Sequence, residues 1–224
     1  MTRRGSSTTD AGPVPRSDDA LRARIRARFA GTTPGNDSAE AWLAGLPPEL
    51  TASFHHLIPA QPTRAAVLVP IIDRNEGLTV LLTQRAADLK HHPGQISFPG
   101  GRLEPDDDGA VGAALRETEE EIGLRRRFVE VIGFLPDHLI ISGYRVTPVI
   151  GFVQPGFELE LDRTEVTEAF EVPLKFLLDP AHHQARRRKL GEGEIEVYDI
   201  PYGERNIWGA TAGMLMTLYR LLRE

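Results

Sequence analysis

The chain of 224 residues predicts a mixed α/β sandwich. Its β-rich runs are interspersed with helical segments rather than grouped apart from them, the pattern of a sheet with helices packed on it. Apolar residues make up 41% of the chain, enough for one sizeable core. No internal repeat divides the sequence into modules.

Residues 1–16 mix Thr, Ser, Gly, Pro and Arg without apolar periodicity and read as a flexible tail. From Ser17, a candidate N-cap, Leu21, Ile25 and Phe29 recur every four residues, with Arg22, Arg24, Arg26 and Arg28 elsewhere on the wheel and Gly31 as the stop. This predicts a short amphipathic helix. An Arg-rich amphipathic start is also the pattern of a mitochondrial targeting peptide, but Asp10, Asp18 and Asp19 count against it. Gly31 to Ser38 reads as a linker and Ala39 to Leu46 as another short helix before Pro47-Pro48, so residues 17–59 form a helical extension and residues 60–224 the main domain. There, Ala65–Ile72 and Leu78–Thr83 flank a turn-rich insert, which predicts a hairpin. A Gly/Pro/His-rich stretch, Lys90–Gly101, leads into a helix at about Gly109–Ile122. Strands are expected at Phe128–Leu135, Arg145–Val153, Val166–Val172 and Ile195–Ile200. A closing helix is expected over Asn206–Leu222, with Ile207, Met214, Leu215, Leu218 and Leu222 as its apolar stripe.

Composition excludes several chemistries. The absence of cysteine removes disulfides, zinc–thiolate sites and thiol nucleophiles. A net charge of −6 argues against a broad nucleic-acid footprint. No apolar run approaches the roughly 18 residues of a membrane span and no secretory signal pattern is present, so a cytoplasmic protein is expected. Catalysis must then rest on carboxylates, His, Ser, Lys or a bound metal.

The segment Arg116-Glu117-Thr118-Glu119-Glu120-Glu121-Ile122-Gly123-Leu124 concentrates such groups. On a helix, Glu117, Glu120 and Glu121 share one face, while Val111, Leu115, Thr118 and Ile122 gather on the other. Three like charges so close are either a solvated face or a set of hard oxygen ligands for Mg²⁺ or Mn²⁺. Arg116 stands one turn before Glu120, placed to orient that carboxylate through a forked hydrogen bond. Upstream, Gly100 and Gly101 let the backbone approach a ligand closely, and a Gly-rich loop feeding a carboxylate helix suits a diphosphate.

These residues resemble the box of the Nudix hydrolase family: Gly101 opens it, and Arg116 to Leu124 close it with Arg-Glu-x-x-Glu-Glu intact. Thr118 stands where an apolar residue is usual. Asp108 stands in place of the first Glu, after one extra residue, so Asp106, Asp107 and Asp108 are open as ligands or as the N-cap of the helix. The resemblance implies a Nudix-type α/β/α sandwich with a mixed sheet between helices. Leu81-Leu82-Thr83-Gln84-Arg85-Ala86, Lys90, Gly94 and Phe98-Pro99-Gly100-Gly101 are similar to the motif before the box in coenzyme A pyrophosphatases. The expanded box, Gly143–Val149, Glu165-Val166 with its following Phe-x-Val-Pro, and Ile207–Ala212 are similar to the same group.

The resemblance implies metal-dependent hydrolysis of coenzyme A or a derivative to 4′-phosphopantetheine and adenosine 3′,5′-bisphosphate. Glu117, Glu120 and Glu121 would hold the metal, with Glu120 or Glu121 as base and Arg116 as orienting group. Gly100 and Gly101 would meet the diphosphate, and Arg85 and Lys90 would contact phosphate, including the 3′-phosphate. Glu165 and Glu168 are candidates for one further carboxylate. Family members are often dimers, so a homodimer is expected, with no nucleic-acid or membrane partner. Trp208, Tyr198 and Tyr202 are either core residues or stacking surfaces for adenine. The paired histidines, His55-His56, His91-His92 and His182-His183, form no zinc motif, and Arg186–Lys189 reads as a solvated loop. Other readings are a Nudix hydrolase of ADP-ribose, NADH or dinucleoside polyphosphates, and a nucleotide-sensing domain without catalysis.

Overall fold

Apolar at nearly every position, residues 65–72 form a strand covered on both faces, as a continuous run of this kind requires. In the computed structural model, which describes residues 18–35, 59–89, 92–190 and 193–223, this strand is β1 (Thr63–Arg74). A tight turn at Asn75-Glu76 returns the chain into β2 (Gly77–Arg85), as the turn-rich insert predicts. β1 also pairs in parallel with β7 (Tyr144–Val153) from Thr63 to Ile72 and antiparallel with the short β4 (Gly100–Arg102). β2 pairs with β8 (Val166–Pro173) from Thr79 to Arg85 and, at its end, with β3 (Ile96–Ser97). Strands β5 (Val129–Phe134) and β6 (His138–Ile140) extend β7, giving an eight-stranded mixed sheet.

Period-two alternation along β1 divides the core. Ala66, Leu68 and Ile72 face helix α2 (Gly109–Ile122), packing with Ala110, Ala113, Ala114, Leu115 and Ile122. Ala65, Val69 and Ile71 face the opposite layer, built from α1 (Asp19–Phe29), the short α3 (Leu174–Leu177) and α4 (Gly209–Arg223). A three-stranded antiparallel sheet of β9 (Gln184–Leu190), β10 (Gly193–Tyr202) and β11 (Arg205–Trp208) joins this second layer through Ile200 and Ile207. The mixed sheet thus lies between helices, the expected α/β/α sandwich.

The amphipathic reading of α1 holds: Ile25 and Phe29 are buried and Leu21 packs beside them. Its arginines fasten the helix down. Arg22 pairs with Asp73, Arg26 forks onto Glu130 with both bonds at 2.6 Å, and both guanidinium groups lie over Phe152. Asp18 occupies the N-cap position, and its buried carboxylate receives the Leu78 N–H at 2.7 Å and Lys175 at 2.5 Å.

Two expectations are corrected. Arg186–Lys189 is not a loop but part of β9, where Arg187 and Lys189 stand opposite Glu196 and Glu194 of β10; charges on an edge strand satisfy cross-strand partners and deter pairing with other chains. The last helix starts at Gly209 rather than Asn206, because Asn206–Trp208 completes the ladder of β11 with β10 and Gly209 turns the chain at φ +64°. Ile207 is fully buried all the same, from the strand, while Met214, Leu215, Leu218 and Leu222 supply the helical stripe. The tail, Ser17, Ala39–Leu46, His55-His56, Lys90 and His91 lie outside the described residues. Among the described residues no helix is long and apolar enough to cross a membrane.

Candidate active site

Helix α2 projects its acidic face toward β4 and the end of β2. At its start Asp108 holds the N-cap position but makes no side-chain capping bond, which corrects the capping expectation. Asp107 is used differently. Its carboxylate accepts the Glu104 N–H at 2.8 Å and the fork of Arg116, Nε at 2.9 Å and Nη2 at 3.0 Å. These donors hold the Asp107 carboxyl below its ordinary pKa. The fork expected on Glu120 therefore falls on Asp107. Arg116 reaches Glu120 and Glu117 only through Nη1, at 2.9 and 3.1 Å. Thr118 is buried on the packing side, and its hydroxyl donates to the Ala114 carbonyl at 2.6 Å, so a polar residue is accommodated where an apolar one is usual.

Glu121 is 4% exposed, the deepest carboxylate of the helix. Its Oε2 accepts the Gly100 N–H at 3.1 Å and its Oε1 lies 3.5 Å from Arg85 Nη1. Burial nevertheless pushes its pKa up to about 7, with Glu117 and Glu165 adding to the effect against the Gly100 and Arg85 contacts. Burial also raises Glu117, with Glu120 and Glu165 adding and Arg116 opposing. Glu120 is exposed on the outer rim, held by Arg116.

Both glycines of β4 are needed for this approach. At Gly100, φ is +146° and a Cβ would run into the Ala66 carbonyl and Val67. At Gly101 it would occupy the space of the Glu117 carboxylate. The Gly100 N–H, expected to face a diphosphate, is directed at Glu121 instead.

Glu165 precedes β8, and its carbonyl accepts the N–H of Ala86, the residue after Arg85, at 2.8 Å. Glu165 is exposed, and its charge acts on Glu117 and Glu121; Glu168 is paired with Arg205 instead. His92 is exposed beside Gln95, and His182 and His183 donate to the Phe176 and Leu177 carbonyls, away from the cluster. Tyr202 packs edge-on against Phe176, whereas Trp208 is 42% exposed, contrary to a core reading. Sequence reasoning left Asp107 open among three adjacent aspartates, because its pairing with Arg116 is set only by the path of the turn that precedes α2.

The donor chemistry fits a hard divalent cation. Glu117, Glu121 and Glu165 bring only oxygen atoms, and two of them are pushed toward their neutral form chiefly by burial, with their acidic neighbours adding; a cation would favour the charged form of both. As the side chains stand, Arg116 and Arg85 take up that charge, and among the described residues no three acidic or histidine side chains converge at ligand spacing.

The sequence pattern of the NUDIX domain matches residues 62–191. A protein of Escherichia coli (strain K12) named uncharacterized Nudix hydrolase NudL is 41% identical over 157 residues, covering 69% of this chain and 80% of its own. The protein of the same name from Yersinia pestis (strain Pestoides F) is 39% identical over 171 residues, covering 76% of this chain and 85% of its own. The crystal structure of a C. elegans Ap4A hydrolase binary complex is similar with a TM-score of 0.44 and 20% identity, over 50% of this chain and 80% of that one. On the domain match and these bacterial relatives, the chain belongs to the Nudix hydrolase family.

Proposed function

We propose that the protein is a cytoplasmic, metal-dependent pyrophosphohydrolase that cleaves the diphosphate of coenzyme A and its acyl or oxidised derivatives, giving 4′-phosphopantetheine and adenosine 3′,5′-bisphosphate. One observation carries the reading: Arg85, from the stretch similar to coenzyme A pyrophosphatases, lies 3.5 Å from Glu121 of the box. Two sequence features more than thirty residues apart thereby meet in one small volume.

Glu117, Glu120, Glu121 and Glu165 would hold Mg²⁺ or Mn²⁺. When bound, such an ion neutralises diphosphate oxygens and lowers the pKa of an attacking water. Glu121, buried against the Gly100 N–H, would serve as proton acceptor, with Glu120 as the exposed alternative. Arg116, anchored by Asp107, steadies Glu117 and Glu120. Arg85 supplies positive charge beside the reacting centre, which supports contact with the diphosphate rather than with the separate 3′-phosphate. Lys90 is the cation proposed for the remaining phosphate contact. Positioning and charge stabilisation are most of what phosphoryl transfer asks of a protein.

The test is incubation with Mg²⁺ or Mn²⁺ and, separately, coenzyme A, NADH, ADP-ribose and diadenosine polyphosphate, with products resolved chromatographically. Coenzyme A is expected to give the two named products fastest. Faster cleavage of ADP-ribose would defeat the substrate assignment, and nucleotide binding without turnover of any substrate would favour a sensor.

A further inference from the structure

The end of helix α2 is closed by a loop that also delivers Glu165. Gly123 turns the chain in the left-handed region at φ +71°, leaving the last carbonyls of the helix without intrahelical partners. Two backbone N–H groups from the loop between β7 and β8 supply them: Glu160 donates to the Ile122 carbonyl at 3.0 Å and Asp162 to the Glu121 carbonyl at 2.9 Å. The fit is close, since a Cβ on Gly123 would come within 2.9 Å of the Glu160 nitrogen.

Asp162 then organises the next three residues. Its carboxylate accepts the Thr164 N–H at 2.8 Å and the Thr164 hydroxyl at 2.7 Å, and its carbonyl accepts the N–H groups of Glu165 at 3.0 Å and Val166 at 2.8 Å. The Glu165 carbonyl in turn holds Ala86. Within four residues the chain is bonded at one end to the backbone of Glu121 and at the other to the residue after Arg85. The side chains of Glu121 and Arg85 themselves meet at 3.5 Å. Asp162 spends its carboxylate on Thr164 and so acts by geometry, not as a member of the cluster.

We infer that Asp162 is a positioning residue: its turn fixes Glu165 as the fourth carboxylate of the site and locks that position to the Glu121 end of the helix. The inference rests on reading Glu117–Glu121 as the metal-holding set, and not on coenzyme A as the substrate. The bond from the Ala86 N–H to the Glu165 carbonyl sets this residue beside Arg85, whose side chain reaches Glu121, which supports it.

The experiment measures Mn²⁺ binding to the full chain without substrate, and kcat and KM for whichever diphosphate is cleaved, in Asp162→Ala, Asp162→Asn, Glu165→Gln and the Asp162→Ala/Glu165→Gln pair. Supporting residues around metal sites typically contribute about 10-fold to 100-fold. A loss of that size in Mn²⁺ affinity and kcat, with KM little changed, is expected for Asp162→Ala and for Glu165→Gln. Asp162→Asn keeps the acceptor and should restore near wild-type values. The double variant should be no worse than Glu165→Gln alone, because the first change acts through the second residue. Losses that multiply in the double variant, or a Glu165→Gln protein that binds Mn²⁺ as the wild type does, would overturn the inference and leave the metal reading of the helix standing. A wild-type chain that binds no Mn²⁺ would overturn both. Should Asp162→Ala fail to fold, Thr164→Ala replaces it; it removes the hydroxyl bond, with a loss of a few-fold expected and none further in the Glu165→Gln background.

Discussion

On the face of the central sheet covered by α1 and α4, charged side chains meet partners of opposite sign one to one; on the face covered by α2, several carboxylates share Arg116 and Arg85 and act on one another. Arg26 forks onto Glu130, lowering the pKa of that carboxyl through the hydrogen bonds it donates, and Arg22 pairs with Asp73. Across the sheet, Glu121 and Glu117 are raised chiefly by burial, and each is further raised by its acidic neighbours. The first face is arranged for stability. The second holds an electrostatic cost that folding alone does not require, which is the usual mark of a functional site.

The largest effect expected from disturbing this contrast is that of Glu121→Gln. Removing a base and metal-holding carboxylate should lower turnover about 10²-fold to 10⁴-fold, measured as kcat on the cleaved diphosphate. The same change should stabilise the metal-free protein. A carboxyl whose folded pKa is raised to about 7 binds its proton more tightly in the native state, so its contribution to stability falls as pH rises from the unfolded value toward and past 7. At pH 8 the variant should therefore gain up to about 3 kcal/mol over wild type in denaturant titrations, and the gain should vanish by pH 4. Buried His138 has the opposite sign: its lowered pKa removes stability as pH falls below about 6.5. Because His138 is present in both proteins, the difference between them isolates Glu121. A gain independent of pH would contradict the assignment.

Gly100→Ala comes next. A Cβ there meets backbone, the Ala66 carbonyl and Val67, at a φ that side chains rarely adopt, so a loss of about 3 kcal/mol is expected in the same titration. The backbone shift that relieves the clash should also displace the N–H aimed at Glu121 and lower kcat. An alanine variant of wild-type stability would mean that β4 does not lie this close to β1. The smallest effect belongs to the paired face. Arg26→Ala breaks a fork whose two side chains are 44% and 51% exposed, so water screens it, and a stability change under about 1 kcal/mol with unchanged turnover is expected. A tenfold drop in kcat would break the division between the two faces.

Much of this division was legible in the sequence. The spacing of Leu21, Ile25 and Phe29 marked α1, the β-rich runs 65–72 and 78–83 marked a hairpin, and Glu117, Glu120 and Glu121 marked one acidic helix face. These features are local and periodic. The partner of the Arg116 fork was not legible, because Asp106, Asp107 and Asp108 are chemically alike and only the path of the loop selects Asp107. Nor was the strand at Arg186–Lys189. Its charges match a solvated loop in composition, and the pairing with β10 that makes it a strand lies outside the segment itself.

By itself, the sequence determined helices α1, α2 and most of α4, strands β1, β2, β5, β7, β8 and β10, and a cluster of carboxylates next to paired glycines. Short-range sterics and the periods of helix and strand are enough for that. Tertiary structure alone decided that Glu121 is buried while Glu120 is exposed, that Arg85 reaches Glu121 across the sheet, and that Glu165 arrives on a loop bonded to the helix end. Burial and field depend on what long-range packing brings within a few ångströms, so identical side chains one residue apart on the same helix acquire different surroundings, one buried and one exposed.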